Sequence, residues 1–179
     1  MIIGVAGYAR SGKDEVAKIL VNKFGFTRIA FADEIRKFLL KVNPILESGN
    51  RVGELVHDFG WEIAKSKTET RRLMQEIGVS AREMFGDDFW VNIALKNVHS
   101  TDNVVVPDVR FQNEITAIRN MEGKVFRVMR EGVGPVNSHI SETEIDKAYF
   151  DGYIPNDGTL EDLEAYVTYL MRPYANQII

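Results

Sequence analysis

Gly7-Tyr8-Ala9-Arg10-Ser11-Gly12-Lys13-Asp14 reads G-x-x-x-x-G-K-D. It lies between an apolar run, Ile2-Ile3-Gly4-Val5-Ala6, and a helix-spaced run, Glu15-Val16-Ala17-Lys18-Ile19-Leu20-Val21. Strand, glycine-rich turn, lysine and helix in this order is the context in which such a string binds phosphate. Glycines let backbone N–H groups converge on phosphate oxygens, and the helix start adds the positive end of its dipole. Lys13 brings a mobile positive charge for the β- and γ-phosphates. An ordinary glycine-rich turn gives no reason for a lysine at the helix start, where the dipole disfavours it. One residue departs from the general pattern: Asp14 stands where a Ser or Thr hydroxyl usually meets magnesium.

Working outward, short apolar runs alternate with longer helical patterns. Strands are predicted at 2–6, 27–31, 103–107, 124–129 and 151–154. Helices are predicted at 13–24, 33–42, 52–65, 69–78, 88–99, 111–121 and 159–171. Runs such as Val104-Val105-Val106 lack polar alternation, as strands buried on both faces do. The fold class is therefore α/β, a three-layer arrangement around a central parallel sheet, with ligands at the carboxyl ends of its strands. The block 33–99 holds no convincing strand and reads as a helical insertion within a single domain spanning 1–179. Glu47-Ser48-Gly49-Asn50 reads as a mobile loop. So does Glu131-Gly132-Val133-Gly134-Pro135-Val136-Asn137-Ser138, which follows a strand and is placed to act as a lid over the phosphates.

The composition excludes several classes. The chain has 179 residues, 45% apolar and 27% charged, with a net charge of −4 and no cysteine. A single domain of this size buries about 70% of its unfolded surface. The negative balance gives no general affinity for nucleic acid or anionic membrane. The missing cysteines rule out disulfides and thiolate metal sites, and suit a reducing cytoplasm. No apolar run approaches the roughly 20 residues of a membrane span. The first strand has no basic segment or cleavage site before it, so no signal peptide is expected.

Further chemistry-bearing residues stand at element ends. Asp108 closes the run Val104-Val105-Val106-Pro107. It suits a magnesium site beside the phosphates, or an N-cap for the helix that follows. Arg110 lies just beyond, as a phosphate contact or a surface arginine. Asp33 and Arg36 open the helix after the second strand; Asp33 fits an N-cap, and Arg36 fits an acceptor phosphate. In Thr70-Arg71-Arg72-Leu73-Met74-Gln75-Glu76-Ile77-Gly78, Leu73, Met74 and Ile77 share a core face, while Arg71 and Gln75, four apart, share another. That second face suits an anionic nucleotide, or is simply solvated. Trp90 fits the core or the wall of a base pocket. His57 and His99 read as ordinary helix residues, whereas His139 falls in the lid segment.

Taken together, Gly-Tyr-Ala-Arg-Ser-Gly-Lys-Asp, Arg-Arg-Leu-Met-Gln with Gly78, Asp88-Phe89-Trp90-Val91, Val106-Pro107-Asp108-Val109-Arg110, Ser138-His139-Ile140-Ser141-Glu142 and Asn156-Asp157-Gly158-Thr159-Leu160 resemble the bacteriophage-type deoxynucleoside monophosphate kinases. These motifs run in the same order over residues 4 to about 165. In that family the loop also ends Gly-Lys-Asp. The resemblance implies a P-loop kinase fold with a helical acceptor-binding insertion and a lid at 131–147 carrying His139 and Glu142. It implies ATP- and Mg2+-dependent phosphorylation of a deoxynucleoside monophosphate, supplying DNA precursors.

The candidate ATP-binding set is Gly7, Arg10, Ser11, Gly12, Lys13, Asp14 and Val16 with Asn156, Asp157 and Gly158, the last three near the adenine. Catalytic charge falls to Lys13, Arg110 and Arg130, metal binding to Asp14 and Asp108, and acceptor binding to Asp33, Arg36, Arg71, Arg72, Gln75 and Trp90. Departures are a short stretch between Arg36 and Arg71, and Val79-Ser80 where a Thr-acidic pair is more usual. A small-acceptor kinase acting on dephospho-coenzyme A, or a nucleotide-binding switch, is the alternative. The expected location is the cytoplasm, that of a host if the gene is a phage's. Monomer and homodimer both stay open.

Overall fold

The computed structural model describes residues 1–135 and 144–177. The chain divides into two compact units: Met1–Ala30 together with the chain from Leu95 onward, and Phe31–Ala94.

The first unit is built on five parallel strands in the order β2-β3-β1-β4-β5, where β1 is Ile2–Ala6, β2 Thr27–Arg28, β3 Val104–Val109, β4 Lys124–Met129 and β5 Gly152–Pro155. β1 is central, pairing Ile2 with Val104 on one side and Ile3 with Lys124 on the other. All five of its residues are buried, which accounts for its unbroken apolar run. The strand order reverses at β1, so the loop leaving its carboxyl end opens at the topological switch point, where α/β sheets bind ligands. The pairing of β1 with β3 shifts register between Gly4 and Ala6. The shift accompanies Pro107, which has no N–H to give to a ladder.

Two helices cover one face of this sheet. α1 (Lys13–Phe24) supplies Val16, Ala17 and Leu20. The helix Leu160–Met171, named α7 below, supplies Leu163, Val167 and Met171. They pack on Ile3, Val5, Val105, Phe126, Val128 and Ile154, and Lys23 forms an ion pair with Glu164 across the two helices. The opposite face carries α6 (Gln112–Asn120), whose Ile115 and Ile118 are fully buried. This is the expected three-layer arrangement.

The second unit is helical, with α2 (Phe31–Val42), α3 (Val52–Ser66), α4 (Thr68–Phe85) and α5 (Phe89–Ala94). Its core is Leu39, Leu46, Val52, Leu55, Ala64 and Met74, with Ile35, Leu73 and Ile77 packed against them.

Several element boundaries differ from the sequence expectation. β2 stops at Arg28, and its ladder continues only through Ile29 N–H to Val105 O. α2 starts at Phe31, so Asp33 lies inside its first turn rather than capping it. α3 bends at Gly60, whose φ of 76° and ψ of 166° are not helical. α4 runs on past Gly78 to Phe85, and α5 ends at Ala94 instead of 99. The presumed mobile loop at 47–50 is a hydrogen-bonded turn. Leu46 N–H donates to Asn50 O, Gly49 N–H donates to Leu46 O, and Ile45 and Arg51 form an antiparallel bridge.

Candidate active site

The phosphate-loop sequence folds as a tight turn between β1 and α1. Ser11 N–H donates to Tyr8 O at 3.2 Å, closing the turn. Arg10 sits at φ 68° and Gly12, the N-cap of α1, at φ 103°. A side chain on Gly12 would be strained by that backbone and would also collide with the Asn156 amide. A Cβ on Gly7 would lie 2.7 Å from both Ser11 Oγ and Val128 O. The two glycines that define the motif are thus required by close approach within this unit.

Lys13 is the first residue of α1 and only 9% exposed. Its Nζ donates to Tyr8 O at 2.6 Å, so the ammonium folds back over the loop. Ser11 Oγ is buried with no partner. Asp14 is exposed in the first turn of α1, and Val16 is buried beneath the loop.

The loop at 156–158 reaches the same place. Asn156 Nδ2 donates to Ser11 O at 2.8 Å, and its backbone N–H donates to Met129 O at 2.8 Å. Asp157 Oδ1 accepts from Glu131 N–H at 2.6 Å, linking the loop to the chain leaving β4. Gly158 sits against Asp162, which closes a reciprocal cap with Thr159 at the start of α7. The sequence thus named two segments, 149 residues apart at Gly7 and Asn156, that are directly bonded through Ser11.

Asp108 lies within β3, one residue before Val109, the partner of Ala6 at the end of β1. It does not cap α6. The N-cap of that helix is Phe111, and the buried carboxylate of Glu114 accepts from Phe111 N–H at 3.0 Å and Arg110 N–H at 2.6 Å. Sequence reasoning missed Glu114, although its place three residues after the cap was a legible signal. Asp14 and Asp108 offer oxygen donors only. Magnesium is held by one or two carboxylates, with waters and phosphate oxygens completing its shell, so donors of this type suit it. Among the described residues, no group of three His, Cys, Asp or Glu side chains is gathered in a metal-binding cluster. Arg130 is exposed just past the end of β4.

In the helical unit, Arg36 pairs with Asp33 at 3.1 Å and lies over the Trp61 ring at 5.5 Å. Its Nε is buried without a partner. Arg71 and Gln75 are half-buried on α4, beside the core line of Leu73, Met74 and Ile77. Arg72 lies on the outer face, bonded to Glu76 at 2.8 Å, which raises its pKa. Trp90 is buried, its Nε1 donating to Gly78 O at 3.0 Å and its ring edge-on to Phe38 and Phe89. His57 and His99 are exposed. His139 and Glu142, with the rest of 136–143 in the expected lid, lie outside the described residues.

The family described as deoxynucleotide monophosphate kinase matches residues 52–167. The chain belongs to this family. A putative deoxynucleotide monophosphate kinase of Acanthamoeba polyphaga mimivirus is 27% identical, over 93% of this chain and 94% of its own. The deoxynucleotide monophosphate kinase of Escherichia phage RB69 is 32% identical over 57% of this chain, and the match spans only 44% of the phage protein. Among solved structures, shikimate kinase from Aquifex aeolicus aligns over 98% of both chains with a TM-score of 0.51 at 14% identity, which speaks for the P-loop kinase fold alone. The enzyme is therefore a kinase of this fold.

Proposed function

We infer that the enzyme transfers the γ-phosphoryl group of ATP to a deoxynucleoside monophosphate, giving ADP and the deoxynucleoside diphosphate. The observation that carries this is the folded phosphate loop, with Lys13 buried at its helix start, in a chain of this family. The acceptor brings its own nucleophile. Its phosphate loses a second proton with a pKa near 6, as a phosphate monoester does, so an ionised oxygen is present at neutral pH. That oxygen bonds to the γ-phosphorus while the bond to the β–γ bridging oxygen breaks, and ADP leaves with the electron pair. No side chain has to act as a general base.

What the protein must supply is position and positive charge. The loop amides and Lys13 take the donor phosphates, with Arg10, Ser11 and Val16 shaping the loop around them. Asn156, Asp157 and Gly158 take the adenine side. Arg110 and Arg130 offset charge on the transferring group. Asp14 and Asp108 are the carboxylates that would hold magnesium, which when bound would offset negative charge on the donor phosphates. On the acceptor side, the half-buried Arg36, Arg71 and Gln75 are the leading contacts, with Asp33 orienting Arg36. Arg72 meets the acceptor only by leaving Glu76, and Trp90 contributes through the packing of α4 and α5. We place this activity in the cytoplasm, consistent with a chain without cysteines.

The test is ADP production, followed by a coupled assay, against each deoxynucleoside monophosphate, its ribose counterpart, dephospho-coenzyme A and no acceptor. Turnover is expected with one or more deoxynucleotides. Turnover with dephospho-coenzyme A alone, or ATP hydrolysis indifferent to acceptor, would overturn the reading.

A further inference from the structure

Tyr8 is the second residue of the phosphate loop, and its two ends are held by different parts of the sheet unit. Its backbone carbonyl accepts Lys13 Nζ at 2.6 Å and Ser11 N–H at 3.2 Å. Its phenol donates to Asp146 Oδ1 at 2.6 Å, 138 residues away in the chain. The same carboxylate oxygen accepts from Arg127 Nη2 at 2.6 Å. The Arg127 guanidinium lies over the Tyr8 ring at 5.1 Å and the Phe150 ring at 5.7 Å. Arg127 stands on β4 opposite Ala6 of β1, on a strand held from both sides. Asp146 belongs to the short 3-10 turn Glu144–Lys147.

A phosphate loop is usually located by the strand before it and the helix after it. Here, besides the bond from Asn156 to Ser11 O, a further restraint acts on the loop, at the residue whose carbonyl receives the Lys13 ammonium. The cluster is also electrically quiet. The hydrogen bond to Asp146, and burial after it, raise the Tyr8 pKa, so the phenol stays a donor at neutral pH. Burial works against the Asp146 charge, but the bonds from Tyr8 and Arg127 outweigh it and keep the carboxylate below its ordinary value.

We propose that Tyr8 is a positioning residue for the donor phosphates, locked by Asp146 and Arg127, so that the loop and Lys13 are held ready for the γ-phosphoryl group. The proposal rests on the reading of this loop as the donor site. Tyr8→Phe keeps the ring over Arg127 and removes only the oxygen that meets Asp146. Asp146→Ala removes the other end of the tether. Because a misplaced catalytic charge costs rate steeply, each variant should lose roughly tenfold in kcat. Each should also bind ATP more weakly in a titration without acceptor, leave the KM for the acceptor within about twofold of the parent, and melt at nearly the parent temperature. The double variant should be no worse than the worse single, since one tether is cut in all three.

Parent-like kcat and ATP binding in Tyr8→Phe would overturn the proposal. So would losses that multiply in the double variant, or a rise in acceptor KM as large as the effect on ATP. Failure of the functional reading would look different. A parent that binds ATP but phosphorylates no deoxynucleotide sinks the acceptor assignment, while the ATP titration still reads the tether. A parent that binds no ATP overturns both.

Discussion

Lys13 is buried, and its ammonium donates to the Tyr8 carbonyl at 2.6 Å. That bond keeps the charge at the loop. Lys13→Ala should therefore cost at least ~10²-fold in kcat, the scale of losing a preorganised charge donor. ATP should still bind through the loop amides; near-parental turnover in single-turnover kinetics would remove this loop from the chemistry. Asp108 is the second residue whose role is open to measurement. With Glu114 capping α6, Asp108→Asn leaves that cap intact. It should raise the magnesium concentration needed for half-maximal rate, with little change in melting temperature. Unchanged magnesium dependence would leave Asp108 as part of the strand end only. At this scale the motif was legible because each residue type answers a local need: glycine for close approach, lysine for charge. Tyr8, Arg127 and Asp146 were not, because nothing in their spacing announces that a strand, a loop and a 3-10 turn meet.

Among the elements, α4 shows how a helix sorts its faces. The 100° step per residue puts Arg71 and Gln75 beside the core line and turns Arg72 outward, where it pairs with Glu76. The three substitutions to Ala should therefore part company. Arg71→Ala should weaken every acceptor alike, by about 1.5–3 kcal/mol, the worth of a charge-assisted contact. Gln75→Ala should weaken acceptors unequally, since an amide reads a base edge. Arg72→Ala should change acceptor kinetics little, because the pair it loses is exposed. Acceptor KM values across a panel of deoxynucleotides decide; equal silence of all three would make α4 a solvated helix with no part in binding. The same helix explains a wrong boundary. The expected helix ended at Gly78, and glycine costs a helix interior about 1 kcal/mol relative to alanine. In the fold Gly78 lets Ile35 approach, to 3.3 Å from where a Cβ would stand, and its carbonyl receives the Trp90 indole. Packing outweighed propensity, and neither partner is adjacent in the sequence. Gly60 was the converse: a glycine inside an apolar periodic pattern that does bend its helix.

For the whole molecule, the sheet unit is laced at the end opposite the phosphate loop by Asp151. It accepts from Val125 N–H at 3.0 Å, from Arg119 Nη2 at 3.1 Å and from Lys124 Nζ at 3.3 Å. Burial opposes its charge, but these donors outweigh it and lower its pKa. A carboxylate whose folded pKa is depressed adds stability above its unfolded pKa, about 3.9, and loses it as pH falls through the folded value. Asp151→Asn should thus lower the urea midpoint at pH 7 and lose less between pH 5 and pH 2 than the parent does. Parallel pH profiles for the two proteins would mean that the charge of Asp151 does not hold the sheet. The sequence by itself determined the alternation of buried strands with helices, the parallel sheet, the loop at Gly7 to Asp14 and the helical character of the middle of the chain. Those properties rest on periodicity, on glycine and on charge within a few neighbouring residues. Tertiary structure alone decided the strand order about β1, the bond from Asn156 to Ser11, the run of α4 past Gly78 and the tether on Tyr8. Each depends on groups far apart in the chain. Their meeting is favoured by burial and hydrogen bonding that exist only once the sheet has formed, so no local pattern records it.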